Sequence, residues 1–236
     1  MAERPQPRTA GPGTPRGGSK TPHDASHDDG LPRPVPRRRD VAAFDERARD
    51  YEGGWLGKLH HEIVNRTVVI ALEGPTAPSR VLDVGCGTGY LLRRLARLCP
   101  DVIDLVGVDP APSMLRVARA KSDDRRLEYC SGVVEQLPFP DGLFDLVVST
   151  TSFDHWADQR AGLEQCARVL TPGGRLVLVD QFSRLLTPTL LTSRRGKART
   201  KKRCSRLLVD AGFRSPDWHD VLTVIIKAAV TATRHR

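Results

Sequence analysis

Val81-Leu82-Asp83-Val84-Gly85-Cys86-Gly87-Thr88-Gly89-Tyr90 runs an apolar segment into three glycines at alternate positions and then into a helical pattern that lasts to Cys99. The apolar segment is broken only by Asp83 and reads as a strand buried on both faces. Alternate glycines let the chain turn sharply and let a ligand lie close to the backbone at the strand's carboxyl end. The amides at the start of the following helix favour an electron-rich or anionic ligand group. A dinucleotide fingerprint needs a third glycine where Tyr90 stands, and the Asp83 carboxylate is a poor neighbour for a pyrophosphate. A nicotinamide dinucleotide is therefore disfavoured.

Downstream, the same rhythm repeats. IDLVGVD, RLEYCSG, LFDLVVST and GRLVLVDQF are strands; PSMLRVARAK and QRAGLEQCARVL are helices. Turns are expected at Pro100-Asp101, at Pro138 to Gly142 and at Thr171-Pro172-Gly173-Gly174. Continuous apolarity in VLDV, LVGV, LVVS and LVLV predicts a parallel sheet with helices on both faces. After a helix ending at Gly212, two extended runs follow with too short a link for a parallel crossover, so one of them runs antiparallel at the sheet edge. The predicted fold is α/β, a mostly parallel seven-stranded sheet.

Upstream, VAAFDERARDY and WLGKLHHEIVNRTVVIAL read as two helices joined through Gly53 and Gly54 and ending near Gly74-Pro75. Residues 1–40 hold eight prolines and five glycines with almost no large apolar side chain, and are expected to form a disordered tail. The domain is thus expected over 41–236, with covering helices at 41–74. The net charge of +9 is local: +3 in residues 1–40, +8 in the basic insert 193–206, and −2 in the remainder. A slightly acidic body does not offer the basic face that a phosphate backbone needs, so nucleic acid is disfavoured as a partner. Five scattered cysteines without a CxxC pair, no apolar run of membrane-spanning length and no secretory-type leader lead us to expect a cytoplasmic protein without disulfides or a structural metal.

The glycine segment resembles motif I of the class I S-adenosylmethionine-dependent methyltransferases, of the small-molecule type with a Rossmann-like sheet. The resemblance continues through LVGVDPAPSML, VVEQLPFPDGLFDLVVS and ARVLTPGGRLVLVD and covers roughly residues 41 to 232. It implies S-adenosyl-L-methionine as cofactor. In that family the backbone of Gly85, Cys86, Gly87 and Gly89 would lie against the cofactor's methionine part, and Asp83 would help hold its amino group. Asp109, twenty residues past Gly89 and followed by Pro110, would accept hydrogen bonds from both ribose hydroxyls. Asp109 could instead cap the helix that follows, but the glycine loop at that distance favours the ribose role; Met114 is either core or a contact to the adenine face. Where relatives carry an acid that meets the adenine amino group, this chain has Val133; the Val134 amide and Glu135 are the alternatives. Tyr51 resembles a family tyrosine that reaches the cofactor, and Ser149 ends the strand facing it.

Past that strand, Ser149-Thr150-Thr151-Ser152-Phe153-Asp154-His155-Trp156 occupies the sheet edge where an acceptor would sit. The (D/N/S)PP(Y/F) segment of nucleic-acid amino methyltransferases is missing, as is a Pro-Cys nucleophile. A small-molecule acceptor is favoured; the basic insert is read first as a solvated face, and alternatively as a surface that attracts an acidic or carrier-protein-bound acceptor. His155 is the candidate base, because an imidazole titrates near neutrality; packing beneath the next helix is its competing role. His60 and His61 rank below it. A nucleic-acid modifier and a non-catalytic cofactor-binding relative are the alternative functions.

Overall fold

The computed structural model describes residues 39–182, 200–222 and 226–233. The expected tail, up to residue 38, and residues 193–199 of the basic insert lie outside the described residues. Two helices lead, α1 (Arg39–Arg47) and α2 (Gly54–Leu72). The alternating body follows as β1 (Arg80–Val84), α3 (Tyr90–Leu98), β2 (Asp104–Asp109), α4 (Pro112–Ala120), β3 (Leu127–Ser131), β4 (Phe144–Thr150), α5 (Gln159–Val169) and β5 (Leu170–Gln181). It closes with α6 (Lys201–Asp210), β6 (Asp217–Leu222) and β7 (Ile226–Ala232). These strands form one seven-stranded sheet in the order β3-β2-β1-β4-β5-β7-β6.

The first five strands in sequence pair in parallel; β7 runs antiparallel between β5 and β6. The antiparallel strand is thus one place in from the margin, and β6 forms the outer edge. Strand order reverses between β1 and β4, the switch point where open α/β sheets bind ligands beyond the strand ends. The expected turn at Thr171–Gly174 is absorbed into β5: Phe144 pairs with Leu170, but Leu146 pairs with Arg175, so the chain bulges across the TPGG segment.

Both sheet faces are buried, as the continuous apolar runs require. Val81, Leu105, Leu146, Val148, Val177 and Val179 pack under α2 and α3, while Leu82, Val84, Val147, Leu176 and Leu178 pack under α5 and α6. A third, small cluster joins Ala48, Ala111 and Met114 with Phe44 and Tyr51, which seats α1 on α4. Helix α4 opens with Pro112 and has no local side-chain cap; the Asp45 carboxylate of α1 instead accepts the Ser113 amide at 2.6 Å. The covering helices are therefore fixed by both packing and a long-range cap. Among the described residues no helix is long and apolar enough to cross a membrane.

Candidate active site

The three loop glycines all adopt positive φ, at 75° for Gly85, 53° for Gly87 and 77° for Gly89, a conformation that costs side-chain-bearing residues. Their surroundings differ. A Cβ on Gly85 would lie 2.5 Å from Ser152, and one on Gly89 would lie 2.4 Å from the Tyr129 hydroxyl. A Cβ on Gly87 would meet nothing within 4 Å. Gly85 and Gly89 are thus closed over by the protein, and Gly87 alone presents bare backbone to open space. The Gly85 and Cys86 amides donate to the Val108 carbonyl at 2.8 and 3.1 Å, locking the loop to β2. The Cys86 side chain points inward against Gly107, and burial pushes its thiol well above the usual range.

Asp109 ends β2 and holds both local and distant groups. Its Oδ1 accepts the Ala111 amide at 2.8 Å, and its Oδ2 accepts the Gly87 amide at 2.9 Å. Asp109 thus ties the glycine loop to the segment that enters α4, without capping that helix's first turn. A carboxylate offers about four acceptor directions, so lone pairs remain for a ligand's hydroxyls. Burial raises the Asp109 pKa, and the two amide hydrogen bonds oppose that rise. Asp83, fully buried in β1 between Gly107 of β2 and Val148 of β4, is pushed up to about 8 by burial and by the neighbouring Asp109 charge. Among the described residues neither carboxyl stands in an ion pair with a cation, an arrangement suited to a ligand that brings a positive charge and hydroxyl donors.

Tyr51 is held protonated by burial and by the Asp109 carboxylate. It lies edge-on to Phe44 (centroids 6.2 Å apart) and to His60 (5.2 Å), and Phe44 in turn meets His155 edge-on at 5.0 Å. The chain of rings runs from His60 through Tyr51 and Phe44 to His155 in the turn after β4. Burial, and then the nearby His61, lower His60 to a pKa of about 4, so it is neutral at pH 7. His61 belongs elsewhere, stacked on Tyr90 at 3.9 Å. Met114 is buried in the α1–α4 cluster, and Pro110 is exposed beside Asp109.

Sequence reasoning missed the hydrogen-bond hub at Ser152. Its hydroxyl donates to the Val84 carbonyl (3.0 Å) and accepts from Ser149 Oγ (2.7 Å) and Trp156 Nε1 (3.2 Å). Ser149 is therefore engaged within the protein, joining the ends of β1 and β4. Thr151, next to the hub, adopts φ 55° although it is β-branched, a strained conformation of the kind held at functional turns. Asp180 was also missed. It is buried at the end of β5, where Oδ2 accepts the Asp154 amide at 3.1 Å, and so anchors the short turn that carries His155. Glu135 Oε1 accepts the Asp158 amide at 3.0 Å, ahead of α5. Val133 begins the short turn at Val134–Gln136, and Val134 is buried against the α5 face.

A family model described as a methyltransferase domain matches residues 82–178. The chain is 44% identical over 117 residues to a demethylmenaquinone methyltransferase of Thermus thermophilus, covering 49% of this chain and 52% of that one. It is 33% identical over 156 residues to a malonyl-[acyl-carrier protein] O-methyltransferase of Hahella chejuensis, covering 66% and 53%. The matches thus span about half the length of these curated relatives. A methyltransferase solved in complex with the Haloferax volcanii activator Trm112 superposes with a TM-score of 0.70 at 22% identity, over 81% of this chain and 98% of that one.

Proposed function

We propose that the chain is a class I S-adenosylmethionine-dependent methyltransferase that moves a methyl group from that cofactor to a small-molecule acceptor held at the turn after β4. The matched methyltransferase domain and the methyltransferase relatives support this reading. The observation that carries this reading is the pairing of Gly87, whose bare backbone faces open space, with Asp109, which grips the Gly87 amide and keeps acceptor capacity to spare. When bound, the cofactor supplies a methyl group on a positively charged sulfur, and transfer then depends on alignment and exclusion of water.

The chain's own residues supply those conditions. Asp109 takes the ribose hydroxyls, and Asp83 faces the amino group of the methionine part. Phe44, Tyr51 and His60 cover the acceptor side with neutral rings. His155 takes the proton when the acceptor is a hydroxyl, on a turn that Asp180 holds through the Asp154 amide. The side-chain contact to adenine that an acid at position 133 would make is replaced by the Val133–Val134 backbone. Two acceptor classes are supported: a quinone-like small molecule, by the Thermus relative, and a carrier-bound acid, by the Hahella relative together with the basic start of α6. The five free cysteines suit a reducing cytoplasm.

The test is incubation of the full chain with methyl-labelled cofactor and a metabolite extract, alongside carrier-protein fractions. Label in a small molecule, lost in Asp109→Ala, is the expected result. Label in nucleic acid, or cofactor binding without transfer to any fraction, would point instead to the alternative functions.

A further inference from the structure

We propose that Glu52, in the linker between α1 and α2, is a positioning residue that fixes the glycine loop for the cofactor and ties it to the covering helices. The inference rests on the cofactor site described above and assigns a role to a residue outside it.

One carboxylate gathers four groups from separate parts of the fold. Arg93 Nη2 of α3 donates to Oε1 at 2.9 Å, and Lys121 Nζ, just past α4, donates to Oε2 at 2.9 Å. His61 Nε2 of α2 stands 3.8 Å from Oε2, and Thr88 is among the neighbours that lower the Glu52 pKa. Arg93 also donates through Nη1 to the Thr88 carbonyl. Glu52 therefore holds Thr88 through Arg93, which bridges the carboxylate to the Thr88 carbonyl. Thr88 lies between Gly87, whose amide Asp109 grips from the opposite side, and Gly89. The loop is clamped between β2 and the α1–α2 linker.

The clamp is electrostatic and mostly sheltered from water. Side-chain exposure is 16% for Glu52 and 10% for Arg93, so each needs the other's charge. Burial alone would raise the Glu52 pKa, but the hydrogen bonds from Thr88 and Lys121 and the Arg93 charge more than offset it, leaving the carboxyl below its usual range. Losing Glu52 strands the Arg93 guanidinium, whose remaining partners are the Thr88 carbonyl and the Tyr90 ring at 5.9 Å. The guanidinium must then move toward water and draw the loop with it.

The test is calorimetric titration of the full chain with S-adenosylhomocysteine, which binds without reacting. Glu52→Ala is expected to weaken binding about tenfold, the equivalent of one charge-assisted hydrogen bond, and Glu52→Gln by less. Lys121→Ala, which removes the more exposed partner, is expected to stay within about twofold. Amide exchange at Gly87 and Gly89 is expected to quicken in Glu52→Gln without ligand, which a purely global loss of stability would not confine to the loop. A folded Glu52→Gln and Glu52→Ala pair that binds as tightly as the wild type, whatever its Tm, overturns the proposal. If Glu52→Ala does not fold, unchanged binding and unchanged loop exchange in Glu52→Gln overturn it alone. Failure of the wild type to bind would remove the cofactor reading beneath it as well.

Discussion

Gly87→Ala and Gly89→Ala, two residues apart in one loop, are expected to fail in different ways. Both glycines sit in the left-handed region, at φ 53° and 77°. An alanine in that region costs about 1–2 kcal/mol. At Gly87 nothing more is lost, because the new methyl points into open space. At Gly89 the methyl would lie 2.4 Å from the Tyr129 hydroxyl and 2.8 Å from its ring, and Tyr129 cannot easily yield: it is buried and hydrogen-bonded to Ser122 Oγ at 2.9 Å. Overpacking of that kind adds about 1–3 kcal/mol, so Gly89→Ala is destabilised by about 2–5 kcal/mol in all. For a domain of this size each kcal/mol moves Tm by roughly 2–4 °C. Thermal denaturation of the ligand-free proteins, with calorimetric titration of S-adenosylhomocysteine, separates the two. Gly87→Ala should melt within a few degrees of wild type but bind markedly more weakly, since its methyl fills the ligand's space. Gly89→Ala should show the larger fall in Tm. Equal loss of stability in both, or wild-type affinity in Gly87→Ala, would refute the reasoning.

Asp83 gives a pH signature. Its folded-state pKa of about 8 lies above the unfolded value, so the folded protein holds an extra proton and the ligand-free stability it contributes is lost as pH rises from about 4 through about 8; Asp83→Asn should flatten that part of the profile in denaturant titrations. Pairing with the cofactor's ammonium favours the ionised carboxyl, so binding at pH 7 should release protons, seen as a dependence of the calorimetric enthalpy on buffer ionisation that Asp83→Asn removes. Ser152→Ala leaves the Val84 carbonyl and Trp156 Nε1 without their partner, and should cost about 2–4 kcal/mol by chemical denaturation. Asp45→Ala removes the long-range cap of α4 and should cost about 0.5–2 kcal/mol, with faster amide exchange in α1 and at Ser113.

The sequence was most informative where local chemistry and position coincide. Alternate glycines between a buried strand and a helix have few other uses, and Asp109 follows at the spacing that places it at the neighbouring strand's end. Continuous apolar runs revealed a sheet covered on both faces because that burial leaves no polar alternation to read. The end of the sheet was less legible: two close extended runs demand an antiparallel pair, but which of them borders β5 depends on tertiary packing. The bulge over TPGG was hidden because proline and glycine mark turns far more often than irregular strands. Glu52 carried no signal, since Arg93 and Lys121 lie 41 and 69 positions away and a single glutamate in a linker has no motif. Ser152 and Asp45 were obscure for the same reason: each acts through backbone groups that only the fold brings near.

The most direct measurement is a crystal structure of the full chain with S-adenosylhomocysteine. The ligand is expected across the Gly85–Gly89 loop, with its ribose hydroxyls on the Asp109 carboxylate, its amino group toward Asp83 and its sulfur facing the turn that carries His155. A ligand bound elsewhere, or one whose ribose lies away from Asp109 while the Gly87 cradle stays empty, would contradict that placement.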